Sequence, residues 1–277
     1  MLRSMLDLER YSIRATDGDI GVVNDFYFDD STWVIRYVVV DTSAWLPNRK
    51  VLVSPISMGS PDWSQKLLPV TITKEQVKGS PDIDTDKPVS RQHEMGYLGY
   101  YGYPYYWGGA GLWGESAYPQ IMLTKASQAV ADAQHKELSE KRALVESATD
   151  KDSRDDPHLR SCKEVIGYHI DATDGDIGHV HDMLVDERTW AVRYLVVNTN
   201  NWWGGRQVLI VPQWIRDVSW AEHMVAVDLT RQQVKDAPFY NPDAELSRQE
   251  EESIYRHYGR NGYWNDKPRL EVRAPER

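Results

Sequence analysis

The sequence predicts a mainly β protein with short helices, built as two tandem small antiparallel β-barrels joined by a helical linker. Three observations carry that expectation. The chain repeats itself: shifted by about 157 positions, Thr16-Asp17-Gly18-Asp19-Ile20-Gly21 falls on Thr173-Asp174-Gly175-Asp176-Ile177-Gly178, and the match runs without a gap from Leu2/Leu159 to Trp107/Trp264. Roughly two fifths of the paired positions are identical. Within each copy, short runs rich in Val, Ile and Tyr alternate with turn residues. Between the copies, Thr124 to Ala148 is rich in Ala, Glu, Lys and Gln, with only Val130, Leu138 and Val145 as a thin apolar seam, the pattern of an exposed helix. The expected boundaries are residues 1–107 for the first barrel, 108–157 for a Gly/aromatic segment and the linker, and 158–267 for the second barrel. Each copy reads as its own folding unit.

In the first copy, Leu8 to Arg14 and Ile20 to Phe28 flank Thr16-Asp17-Gly18-Asp19, where Gly18 can take positive φ, so this stretch predicts a hairpin, and Gly175 repeats it. Asp29 to Thr32 makes the next turn. Trp33 to Asp41, Lys50 to Ser54 and Leu67 to Ile72 read as three further strands. Five twisted strands with tight connections favour closure, because closure removes exposed edges. Thr73 three residues before Gln76, and Thr230 before Gln233, have capping-box spacing and open short helices that Pro81 and Pro238 stop. Ser90 and Ser247 open second helices that run to Tyr101-Gly102 and Tyr258-Gly259, each glycine a C-terminal stop.

The chain of 277 residues carries a net charge of −10 with a pI near 5.3, which argues against nucleic acid as a partner. A single cysteine, Cys162, excludes an internal disulfide framework and suits a reducing, cytoplasmic setting. The first ten residues mix charges with leucines, and nowhere do eighteen apolar residues run together, so no membrane insertion is expected.

No motif predicts catalysis. There is no Gly-x-Ser-x-Gly elbow, no phosphate loop and no His-Glu-x-x-His, so the expectation is of no catalytic residues, no metal and no cofactor. Asp17 and Asp19, with Asp174 and Asp176, lack the further oxygens calcium needs and read as turn residues. His179 and His181 share one face of a strand, yet the first copy has Val22 and Asn24 there. Asp25 with Arg36, and Asp182 with Arg193, read as charge pairs tying neighbouring strands.

Asp-Gly-Asp-Ile-Gly after a strand, then Val23 and Asp25, a turn, and Arg36-Tyr37-Val38-Val39-Val40-Asp41 ending near Pro55 together resemble the PRC-barrel family; Ile177 to Asp182 and Arg193 to Asn198 repeat the pattern. That family takes its name from the photosynthetic reaction centre, whose H subunit carries such a barrel on its cytoplasmic side, and a related barrel forms part of a ribosome maturation factor. The resemblance implies two PRC-barrel-like domains and, since family barrels act mainly as docking modules, a non-enzymatic protein-docking or assembly role. The alternative it implies is an accessory factor of a membrane-associated photosynthetic or electron-transfer complex, bound peripherally.

Aromatic residues exceed what one copy of the fold requires. Tyr103, Tyr105 and Tyr106 stand opposite Arg260, Gly262 and Tyr263, while Trp203 and Trp214 replace Leu46 and Ser57. With Trp107 and Trp113 they form the candidate partner interface, for self-association or another protein, against the alternative that they cover the chain's own core.

Overall fold

The computed structural model describes residues 1–47, 49–81, 89–107, 109–124, 157–199 and 205–265. The expected linker helix and Trp203 lie outside them.

The first copy opens with β1 (Leu2–Ser4) and a one-turn α1 (Met5–Leu8), whose start is capped by the Ser4 hydroxyl accepting from the Asp7 amide. The sequence pattern suggested a strand from Leu8. Then come β2 (Ser12–Ala15), the long β3 (Gly18–Asp29), β4 (Val34–Asp41) and β5 (Lys50–Val53). A 3-10 turn over Pro55–Ser57 leads to β6 (Leu67–Pro69), α2 (Lys74–Gly79), β7 (Val89–Ser90), α3 (Arg91–Tyr101) and a second 3-10 turn over Pro119–Leu123. The second copy repeats the series as β8 (Pro157–Ser161), α4 (Cys162–Val165), β9 (His169–Ala172), β10 (Gly175–Asp186), β11 (Val192–Asn198), β12 (Gln207–Ile210), the 3-10 turn Pro212–Trp214, β13 (Ile215–Ser219), β14 (Met224–Val227), α5 (Arg231–Lys235) and α6 (Arg248–His257). Both expected capping boxes are formed, at Thr73/Gln76 and Thr230/Gln233. Gly18 and Gly175 have φ of +139° and +127°, and Gly102 and Gly259 end their helices at +68° and +64°. No helix among the described residues is long and apolar enough to cross a membrane.

The strands form two seven-stranded sheets, ordered β5-β4-β3-β2-β6 and β12-β11-β10-β9-β14-β13, each with added strands off the main path. Neither closes into a hydrogen-bonded barrel. The outer strands on the two sides of the gap are consecutive in the chain, and the gap is spanned by the turns at Pro55 and Pro212, whose missing N–H takes the backbone off the ladder. The sheets are also not wholly antiparallel, because β6 runs parallel to β2 and β14 parallel to β9.

The added strands join the two copies. β1 pairs with β10 of the second copy, Leu2 opposite Asp186, and β8 pairs with β3 of the first, Leu159 opposite Asp29. These registers are the same relation with the copies exchanged, as an internal two-fold axis requires. β3 accommodates this through its length: β2 takes Gly18 to Val22, and β8 takes Tyr27 to Asp29. The turns after β3 and β10 meet at the same axis, where Ile35 N donates to Trp190 O and Val192 N to Trp33 O, both at 2.8 Å. One hydrophobic cluster consequently runs through both copies.

Candidate functional site

The junction between the copies gathers most of the polar groups that the sequence singled out, in combinations it did not predict. Asp25 does not pair with Arg36. Its carboxylate accepts from the Ser161 hydroxyl at 2.6 Å and the Lys163 amide at 3.2 Å, at the start of α4, and Asp182 does the same for Ser4 and the Leu6 amide at the start of α1. Burial pushes both carboxyls above their ordinary value, with the hydroxyl and amide donors opposing it. Strand exchange places these donors there, so spacing within one copy could not reveal them.

Arg36 instead reaches Asp29 at 3.9 Å, Thr32 Oγ1 at 3.2 Å and the Leu112 carbonyl at 2.6 Å, with its guanidinium 3.8 Å from the centre of the Tyr106 ring. Arg193 reaches Asp186 at 3.4 Å and Thr189 Oγ1 at 3.3 Å and lies 4.1 Å from Tyr263. Beside each arginine is a buried glutamate that the sequence reading missed. Glu94 accepts from Tyr106 at 2.5 Å and Arg91 at 3.2 Å and contacts His158 Nε2 at 2.5 Å. Glu251 accepts from Tyr194 at 2.9 Å and Tyr263 at 3.0 Å, with Arg248 at 2.9 Å. Burial, and then the neighbouring Glu94 charge, push the Tyr37 and Tyr106 hydroxyls well up, so both stay protonated, and Tyr106 donates to Glu94. The signal was available: Arg91-Gln92-x-Glu94 recurs as Arg248-Gln249-x-Glu251.

The turn aspartates are also engaged. Asp17 accepts from the first amide of α2 at 2.8 Å, Asp174 from that of α5 at 2.7 Å, and Asp19 pairs with Arg14 at 2.8 Å. His179 and His181 are half-buried, and no group of three metal-ligating residues occurs among the described residues.

The aromatic candidates separate. Tyr103, Tyr106, Trp113 and Trp214 are buried within the chain, which leaves them no free ring surface for a partner. The reason is exchange of volume between the copies. Tyr103 lies over Ser57 and stacks on Tyr101, whereas the second copy puts Trp214 at the Ser57 position, packed 4.6 Å from Tyr258, and Arg260 at the Tyr103 position. Trp113 donates Nε1 to the Thr189 carbonyl at 2.8 Å and so ties the first copy's segment to the second copy. Tyr105 and Trp107 stack on each other at 4.6 Å and are half-buried, with Arg91 4.3 Å from the Trp107 ring.

Two clefts related by the internal axis flank the junction. One, of about 500 Å³, is lined by Met58, Pro61, Trp63, Tyr118, Ile121 and Arg188 among others. Its counterpart, of about 450 Å³, is lined by Asp30, Thr32, Trp33, Ile215, Val218 and Trp220 among others. Each contains a half-buried tryptophan under an arginine that reaches a carboxylate of the other copy: Arg3 over Trp63 and bonded to Glu187, Arg160 over Trp220 and bonded to Asp30. Each cleft thus sets one tryptophan face beside an ion pair that joins the two copies.

No curated protein matches the chain. The first copy is tied to the second by the internal repeat and by the same core strand order, but the one family match falls on the second copy alone. Residues 160–234, from the end of β8 into α5, match the PRC-barrel domain.

Proposed function

We propose that the chain is a non-enzymatic docking and assembly module that self-associates, built from two PRC-barrel-like units acting as one body. The observation that supports it best is the pair of clefts related by the internal axis: interlocking the copies spends the acid–base groups on structural ties and leaves a tryptophan-containing groove on each side, at Trp63, where Tyr118 and Ile121 add a wall, and at Trp220. PRC-barrel domains are often protein-interaction modules, which agrees with this reading. Two such grooves on one body give two valences, and a bivalent unit gains avidity without new contacts.

Sedimentation velocity across a concentration series tests the proposal. The wild-type chain is expected to self-associate, and Trp63→Ser with Trp220→Ser to weaken that association while the far-ultraviolet circular dichroism stays unchanged. A strictly monomeric wild-type chain that also recovers no partner in pull-down overturns it.

A further inference from the structure

Each repeat sends its first strand out of its own sheet. β1 pairs with β10, and β8 with β3 and β7, and among the described residues neither is paired with a strand of its own repeat. The outer edge of β3 at Tyr27–Asp29 and that of β10 at Leu184–Asp186 are therefore completed only by the other repeat. Side chains lock the same exchange: Ser161 holds Asp25 and Ser4 holds Asp182, while Arg160 reaches Asp30 at 3.1 Å and Arg3 reaches Glu187 at 2.9 Å. Every one of these contacts is made by residues of the repeats themselves.

The covalent connection leaves the first repeat after Thr124, close in sequence to Ile121, which lines one cleft together with Glu187 and Arg188. It enters the second repeat at Pro157, opposite Ser90, and the next residue, His158, gives its carbonyl to the amide of Asp30, which lines the other cleft. Its two ends thus belong to the two different clefts that flank the junction. Residues 125–156, at about 3.3 Å each when fully extended, are long enough to reach the second repeat of a neighbouring chain as well as that of their own.

We propose that the junction also forms between chains: two copies of the protein exchange their second repeats, so that β8 of each completes β3 of the other, and β10 of each receives the other's β1. The partner is a second copy, because β8 carries Ser161 and Arg160 in register with β3 and its Asp25 and Asp30. Each unit of such a dimer has the same interlocks, core and clefts as the closed chain, so the two forms differ in free energy only through the connection. A covalent connection acts as an effective concentration of about 1 mM, which favours the closed chain at micromolar concentration and lets exchange compete when chains fold together at higher concentration. Because one hydrophobic cluster runs through both repeats, an exchanged dimer reverts only by unfolding. The exchange leaves every cleft in place and does not depend on what the clefts bind.

Two full-length variants with different tags test it, one carrying Arg160→Cys and the other Asp30→Cys. They are mixed, unfolded in urea and refolded together at about 1 µM and at about 100 µM, and a short bis-maleimide is then added. Neither chain carries both introduced thiols, so a cross-link between the tags reports exchange, and the native Cys162 stays out of reach because it is buried and its thiol is pushed well up. The expected result is a cross-linked dimer whose fraction rises about tenfold or more between the two concentrations and which stays dimeric on dilution. Arg3→Cys with Glu187→Cys repeats the test at the other interlock and keeps it valid if the first pair folds poorly. Refolding to monomer alone at about 100 µM overturns the proposal, as does a dimer that carries no cross-link at either interlock or that dissociates at once on dilution. A dimer without cross-links that is lost with Trp63→Ser and Trp220→Ser removes the exchange and leaves the docking reading standing.

Discussion

The Ser161 hydroxyl donates to the Asp25 carboxylate at 2.6 Å, across 136 positions of sequence and from one repeat to the other. Ser4 and Asp182 make the same contact on the other side of the internal axis. Each serine also caps its own short helix, accepting from Glu164 N or Asp7 N. One side chain therefore joins helix start, strand exchange and the opposite sheet, and the two repeats form a covalently linked counterpart of a two-fold symmetric dimer.

Ser161→Ala and Ser4→Ala should each lower stability by about 1–2 kcal/mol, from the lost cap and the buried carboxylate left short of a donor. Because one core runs through both halves, urea unfolding followed by fluorescence and by circular dichroism should remain a single coincident transition. Two separated transitions would show that the repeats fold independently, as the sequence alone suggested.

Gly21→Ala should be far more damaging than Gly18→Ala. A Cβ at Gly21 would lie 2.0 Å from the Asp41 carbonyl oxygen at φ +149°, whereas at Gly18 it meets only the Lys74 side chain at 3.6 Å. The expected costs are about 3 kcal/mol or more at Gly21 and about 1–2 kcal/mol at Gly18. Similar melting temperatures for the two variants would contradict this.

Trp113→Ala should remove about 3–5 kcal/mol, since it empties a fully buried site and breaks the bond to Thr189. Tyr106→Phe should cost about 1–3 kcal/mol by removing one donor of buried Glu94, the one at Oε1, while Arg91 and His158 stay at Oε2. Tyr105→Ser, at a half-buried stacked ring, should cost less than either. Thermal unfolding of the three variants side by side gives the order.

Acid titration should divide the buried aspartates into two classes. For Asp29, burial is outweighed by the Ser31 hydroxyl, the Arg36 charge and local amides, and for Asp186 by local amides and Arg193, so both folded values are lowered. Their stability is complete above about pH 4 and is lost as pH falls through the folded values. Asp25 and Asp182 are raised by burial, so their contribution is complete below about pH 4 and declines as pH rises through the folded values. Asp25→Asn with Asp182→Asn should flatten that decline and leave the acid loss intact, as read from urea midpoints between about pH 3 and 8. An unchanged profile would assign the decline to other groups.

Periodicity and turn chemistry identified β3, β4, β5 and their counterparts, the helix starts at Thr73 and Thr230 and the glycine stops, because each depends on residues close in sequence. The duplication and the resemblance of Asp-Gly-Asp-Ile-Gly were equally plain in the sequence. Neither could assign partners across the axis. Asp25 was matched with Arg36 because both lie in one copy, but the exchange of β1 and β8 brings Ser161 to Asp25 and leaves Arg36 to Asp29. Likewise Tyr103 and Trp214 looked surplus when aligned against Arg260 and Ser57, although each fills the volume that the other fills in the opposite repeat. The sequence by itself determined the elements and their doubling. Only the tertiary structure decided which strand completes which sheet and which rings are core, since those outcomes depend on contacts between residues distant in the sequence, up to more than a hundred positions apart.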